Sequence, residues 1–250
     1  MKPNLNDKTA LISGAAQGIG RAIAIKFHEA GARLILVDNS KEKLDQLIAE
    51  IGPDAVACAV DISNAEDLTA HLHPILARQK TLDILVNNAA TVTRRTKITE
   101  LSLDEWQKTL AVNLTGTFLL SKISIPAMQQ AGGGVILNIA SQLGHVGVAG
   151  AAPYCTTKGG ILQFTRCLAL DHAEDNIRVV ALSPGAVLTP RLTGIYGTAD
   201  DAEQALAKLH PIGRLRDVNE IATAALFLVS EDASFITGTD LVADGGYIAR

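Results

Sequence analysis

The stretch Thr9-Ala10-Leu11-Ile12-Ser13-Gly14-Ala15-Ala16-Gln17-Gly18-Ile19-Gly20 decides how this chain is read. Thr9–Ser13 is an apolar run of strand length, and Ile19–Ala30 carries the longer period of an amphipathic helix. Between them the glycines are spaced G-x-x-x-G-x-G. Glycine lets the backbone turn tightly and lie close to a pyrophosphate, and the start of the next helix offers unpaired N–H groups to that anion. A purely structural turn would use glycine in the same way. The position between a first strand and a first helix favours the phosphate, so Gly14, Gln17, Gly18, Ile19 and Gly20 are expected cofactor contacts.

The same alternation continues along the chain. Leu34–Asp38, Ala55–Val60, Leu82–Val86, Val135–Ala140, Ile177–Leu182 and Asp240–Ala243 are further apolar strands. Helical periods cover Lys41–Ile51, Ala65–Gln79, Glu105–Gln130, Pro153–Ala173 and Val218–Val229. Apolar strands that alternate with helices imply a parallel sheet covered on both faces. The expected fold is α/β: a single Rossmann-type, doubly wound parallel sheet of about seven strands. It spans residues 1–250 as one dinucleotide-binding and catalytic domain. Pro190–Pro211 alone interrupts the alternation, and it is predicted to form a mobile substrate lid at the sheet's carboxyl edge, with an ordinary surface helix pair as the alternative.

Asp38 ends the second strand, about 20 residues past the glycine turn, where a carboxylate can accept both ribose hydroxyls and repel a 2′-phosphate. Asn39 follows it and no basic residue is adjacent, so NAD rather than NADP is the expected cofactor. The alternative role for Asp38 is to cap the helix near Lys41. Tyr154 and Lys158 lie one helical turn apart at the start of a predicted helix and so share a face. An ammonium beside a phenol is expected to lower its pKa from about 10, which suits it to take a proton from an alcohol or give one to a ketone. Ser141, just past the fifth strand, can face the same cleft and hold the substrate oxygen.

Composition excludes other classes. The 250 residues are 48% hydrophobic with a net charge of −4, which gives no bulk attraction to nucleic acid. Met1 to Lys8 is polar and the apolar run after it is only strand-length, so neither a signal peptide nor a membrane anchor is expected. Cys58, Cys155 and Cys167 make an odd set with no metal-ligand spacing, and they read as buried, reduced thiols of a cytoplasmic protein. No metal is expected.

With these motifs in order, the chain resembles the short-chain dehydrogenase/reductase family over nearly its whole length. The family's T-G-x-x-x-G-x-G is matched by Ser13 to Gly20, with Ser for Thr. Its adenine-side Asp is matched by Asp61, next to Ile62, and its N-N-A-G by Asn87-Asn88-Ala89-Ala90, with Ala for the last Gly. Asn113 matches the asparagine of a proton relay, and Ser141, Tyr154 and Lys158 match the catalytic residues. Pro184, Gly185, Val187 and Thr189 lie in the segment that holds the nicotinamide amide, and Asp244-Gly245-Gly246 also fits. The resemblance implies that Tyr154 is the acid/base and that Lys158 tunes it and binds the nicotinamide ribose. It also implies that Ser141 orients the reacting oxygen, that Asn113 holds a water leading from Lys158 to solvent, and that the protein is a homotetramer. Asn87 and Ala89 are placed beside the cofactor.

Three residues are candidates for substrate contact. Arg94 and Arg95 follow the Asn87-Asn88 motif, where family members acting on sugar acids carry a similar basic pair; a solvated loop is the alternative. His145 is the one ionisable side chain in the small, apolar stretch between Ser141 and Tyr154; a solvated loop histidine is the alternative. The function expected is NAD-linked oxidation of a secondary alcohol on a sugar, polyol or sugar acid. The alternatives are reduction of a 3-oxoacyl chain on a carrier protein and a non-catalytic nucleotide-binding role.

Overall fold

A computed structural model describes residues 3–79 and 81–250; the first two residues of the polar amino-terminal stretch lie outside it. Among the described residues seven strands form one sheet: β1 (Thr9–Ser13), β2 (Arg33–Asp38), β3 (Val56–Ala59), β4 (Ile84–Asn87), β5 (Gly134–Ile139), β6 (Ile177–Pro184) and β7 (Asp240–Ala243). Their order is β3-β2-β1-β4-β5-β6-β7 and every pairing is parallel. The order reverses between β1 and β4, and such a switch point opens a crevice beyond the strands' carboxyl ends.

Strand alternation divides the core between the two faces. Ile12, Leu36 and Val86 pack with Ile23 and Phe27 of α1 (Gly18–Glu29), Leu44 of α2 (Lys41–Ile51) and Leu226 of α9 (Val218–Val229). Their chain neighbours Leu11, Ile35 and Leu85 point the other way, onto Leu68 and Leu72 of α3 (Ala65–Gln79), Leu120 of α5 (Gly116–Gln130) and Leu168 of α6 (Ala152–Asp171). Both faces are thus apolar, and no polar alternation marks the central strands. The ends of α4 (Leu103–Leu110) and α9 are set by capping boxes, Ser102 with Glu105 and Asp217 with Glu220.

Two expectations are corrected here. The single helix expected over Glu105–Gln130 is α4 and α5 joined through a π-helical turn at Ala111–Thr115. Asn113 sits in that turn, and its amide is held by Thr91 and Thr157, contacts that the local period does not encode. The run Leu103–Gln130 is long and apolar enough to cross a bilayer by length and composition, but its Leu120 and Met128 pack in the core under the sheet. The cysteines also differ from expectation: Cys58 is buried, Cys155 is half-buried and Cys167 is exposed on α6. Burial pushes the Cys58 thiol up to about 11. The predicted lid is two short helices, α7 (Pro190–Tyr196) and α8 (Ala199–Leu206), followed by a 3₁₀ turn.

Candidate active site

The glycine turn is fixed from both sides. Gly14 and Gly18 hold φ of +63° and +57°, a region that side chains disfavour. A Cβ on Gly20 would lie 2.0 Å from the Gly14 carbonyl oxygen, so this glycine lets the helix start fold against the loop. The Asn88 amide donates to the Ser13 and Gly14 carbonyls at 2.9 and 3.0 Å, tying the β4 loop to the β1 loop. Asp38 accepts from the Ala16 N–H at 3.0 Å and from the Ser40 N–H at 3.1 Å. Asp38 therefore shapes both the loop and the entry to α2 while its carboxylate still lines the cleft. Lys43 of α2 donates to Gln17 Oε1 at 2.6 Å. A cation thus does stand near the glycine turn, although none neighbours Asp38 in sequence.

One cleft of about 1160 Å³ runs along the carboxyl edge of the sheet. It is lined by Gly14, Gln17, Gly18, Ile19, Asp38, Asp61, Ile62 and Ala89. The same cleft is lined by Ser141, Tyr154, Lys158, Pro184, Gly185, Val187 and Thr189, the last packed beside Gly18. The close-packed glycine turn, the unpaired N–H groups at the start of α1 and the carboxylate of Asp38 form a donor and acceptor set that fits a dinucleotide. Tyr154 and Lys158, one turn apart on α6, place a phenol and an amine in the same cleft.

The electrostatics differ from the simple tyrosine–lysine expectation. The Lys158 ammonium is 2% exposed, donates to the Ile139 carbonyl at 2.6 Å and sits 5.7 Å from the centre of the Tyr154 ring. Burial, with a smaller push from the Arg191 charge, holds it down to about 7. Burial raises the Tyr154 phenol above its ordinary value, the Arg191 charge and the neighbouring Ser141 hydroxyl oppose that rise, and Cys155 adds to it slightly. The Arg191 charge thus acts on the phenol in addition to the lysine that the sequence places beside it. Arg191 lies on α7, donates to the Ala90 carbonyl at 2.7 Å across the cleft, and was absent from the residues singled out by sequence. Its only signal was a charge directly after the Pro184–Thr189 segment.

Four expected site residues stand elsewhere. Asn87 points into the core, where its amide donates to Asn138 and Ser121, so the Asn88-Ala89-Ala90 part of its motif is what reaches the cleft. Gly20 is buried behind the turn. Asn113 is fully buried, and its side chain joins Thr91 to Thr157 on α6; the π-helical turn thus braces the catalytic helix, and the amide is not among the cleft groups. His145 is bound to Asp240 of β7 at 2.6 Å and lies off the cleft wall, which corrects its place among the substrate residues. Arg94 and Arg95 do line the cleft mouth; Arg94 is 73% exposed and 3.5 Å from Glu105. Gln142, His210 and Tyr247, which sequence did not single out, are among the further side chains lining the cleft. Among the described residues no cluster of metal-ligating side chains occurs.

Residues 14–248 match a family profile described as enoyl-(acyl carrier protein) reductase. The chain is 41% identical over 249 residues to D-threitol dehydrogenase of Mycolicibacterium smegmatis, covering 98% of this chain and 95% of the relative. It is 39% identical over 248 residues to NAD-dependent glycerol dehydrogenase of Listeria innocua, covering 99% and 96%. Among solved structures, 3-ketoacyl-(acyl-carrier-protein) reductase from Brucella melitensis, complexed with NADH, superposes with a TM-score of 0.90 at 36% identity, covering 98% of this chain and 99% of that one.

Proposed function

This chain belongs to the short-chain dehydrogenase/reductase family of oxidoreductases, and from that premise we propose that it oxidises a secondary alcohol of a small polyhydroxylated substrate with NAD. One observation carries the reading: Ser141, Tyr154 and Lys158 line the same cleft as the glycine turn and Asp38. The Ser141 hydroxyl holds the reacting oxygen. The Tyr154 phenolate takes the carbinol proton, and the buried Lys158 amine, bound to the Ile139 carbonyl, keeps a titratable proton beside the ring. The glycine turn, Asp38 and the Pro184–Thr189 segment would hold a nicotinamide dinucleotide, which would supply the hydride acceptor. Arg191 keeps the phenol from rising further and, through Ala90, ties α7 to the β4 loop as a lid over the substrate.

The apolar wall formed by Leu143, Val148 and Ala151 confines a small substrate, and Arg94, Arg95 and Arg191 suit a polar or acidic one at the mouth. The same cations favour a second reading, reduction of a 3-oxoacyl group carried on an acidic protein. Absorbance of NADH and NADPH, followed against polyols, sugar acids and 3-oxoacyl thioesters, tests both. Turnover of polyols with NAD is expected, and turnover of thioesters alone would replace the first reading by the second.

NAD preference is assigned to Asp38. Changing Asp38→Ala with Asn39→Arg should move preference toward NADP by at least tenfold in kcat/KM, because repulsion is removed and a guanidinium is supplied. Lys43, already beside Gln17, should strengthen that switch. Equal use of both nucleotides by the unaltered protein would overturn the assignment.

We also propose a cytoplasmic homotetramer. Phe118 of α5, Leu170 of α6 and Leu241 of β7 are exposed apolar side chains, and symmetric association would cover them. Light scattering should report four chains per particle; a single-chain mass would refute it.

A further inference from the structure

Gln142 follows Ser141 directly, in the 3₁₀ turn that leads from β5 toward α6. Its side chain is 7% exposed and lines the cleft, yet its Oε1 has no hydrogen-bond partner. The amide lies against Gly185: a Cβ there would come within 2.9 Å of Oε1 and equally near the Asp244 backbone. Gly185 thus leaves a slot that the carboxamide fills without being bonded in it. A buried, unpaired amide oxygen is unfavourable in a folded chain unless a partner completes it.

The two neighbouring histidines are already bonded within the protein. His210 Nε2 accepts from the Ala186 N–H at 3.2 Å, and its Nδ1 faces the Leu206 carbonyl at 3.0 Å. His145 is taken by Asp240. Leu143, Val148 and Ala151 offer only apolar surface. The Ser141 hydroxyl and the Tyr154 phenol are committed to the reacting oxygen. Gln142 is one residue from that serine, so its carboxamide can reach a hydroxyl on the carbon next to the reacting one.

We propose that Gln142 is a specificity-determining, substrate-binding residue that hydrogen-bonds the hydroxyl vicinal to the carbinol being oxidised, so that the enzyme selects 1,2-diols over simple secondary alcohols. This rests on the alcohol-oxidising reading above and narrows it to a substrate class. A half-turn of the amide lets the same side chain accept from or donate to that hydroxyl. A site built to bond a hydroxyl discriminates strongly against an analogue that lacks it, because the site's own polar group is then left unpaired.

The test compares matched pairs with NAD: cyclohexane-1,2-diol against cyclohexanol, and propane-1,2-diol against propan-2-ol. The unaltered protein should prefer each diol by tenfold or more in kcat/KM. Gln142→Met should lower kcat/KM for the diols by about 10- to 100-fold and leave the simple alcohols within about threefold. Its thermal midpoint should stay level or rise, since an unpaired amide is replaced by an apolar chain of similar volume; a residue that merely held the turn together would lower it. A diol preference that survives Gln142→Met overturns the proposal while leaving the alcohol reading intact. So does an unaltered protein that oxidises the simple alcohols as well as the diols. A protein that oxidises neither class overturns both.

Discussion

Tyr154→Phe is expected to lower turnover by about 10²–10⁴-fold while NAD affinity changes little. Only one oxygen is lost. The ring stays half-buried at the start of α6, and the dinucleotide part of the cleft, from Gly14 to Asp38, is formed by other elements. The phenol is the group positioned to take the carbinol proton. Lys158 is the nearest alternative, but its amine is bonded to the Ile139 carbonyl below the ring. Burial holds the Tyr154 phenol above its ordinary value, so oxidation by the unaltered protein should speed up toward alkaline pH. The phenylalanine variant should lose that rise as well as the rate. Stopped-flow absorbance at 340 nm and nucleotide titration check the two halves separately. Turnover within twofold of the parent would remove Tyr154 from the chemistry.

The fold was legible because its strands are continuous apolar runs and both sheet faces are buried. Leu11 and Ile12 both need to be apolar, since one faces α3 and α5 while the other faces α1 and α9. The catalytic spacing was legible too, because i and i+4 share a helix face whatever the surroundings. What escaped depends on partners far along the chain. The π-helical turn is held by Thr91 and Thr157, each many residues from Asn113. His145 reads as a lone polar group in an apolar stretch, and its partner Asp240 is 95 residues away. Gln142 stands beside the catalytic serine in plain view, but its unbonded state is a consequence of where Gly185 and Asp244 come to rest. Asn87 belongs to a motif that touches the cleft only through its successors, because a strand residue must choose one face.

The spacing that revealed Lys158 is silent on the cost of burying it, and that cost makes the second large prediction. Lys158→Met should abolish efficient turnover and yet make the nucleotide-free protein more stable at pH 7. In the unfolded chain this amine titrates near 10.5, and in the folded chain at about 7. Between those values the unfolded chain binds more protons, so the lysine's contribution to stability improves as pH rises through that window. At pH 7 and below the charged amine is penalised in the fold by roughly 4 kcal/mol, and the penalty fades as pH approaches the unfolded value. Methionine escapes it, but the Ile139 carbonyl then loses its donor, at a cost of about 1–3 kcal/mol. The net gain at pH 7 is then about 1–3 kcal/mol, or a rise in Tm of several degrees for a chain of this size. Denaturant unfolding of both proteins at pH 7, 8.5 and 10 measures the difference, and groups common to both cancel from it. The advantage of methionine should shrink steadily over that range and reverse at its top, where only the lost carbonyl bond remains. A gap that does not change with pH would mean that Lys158 keeps its ordinary ammonium in the fold. Its hydrogen bond to Ile139 would then stabilise the cleft at neutral pH, and the amine could not exchange a proton with the Tyr154 side there.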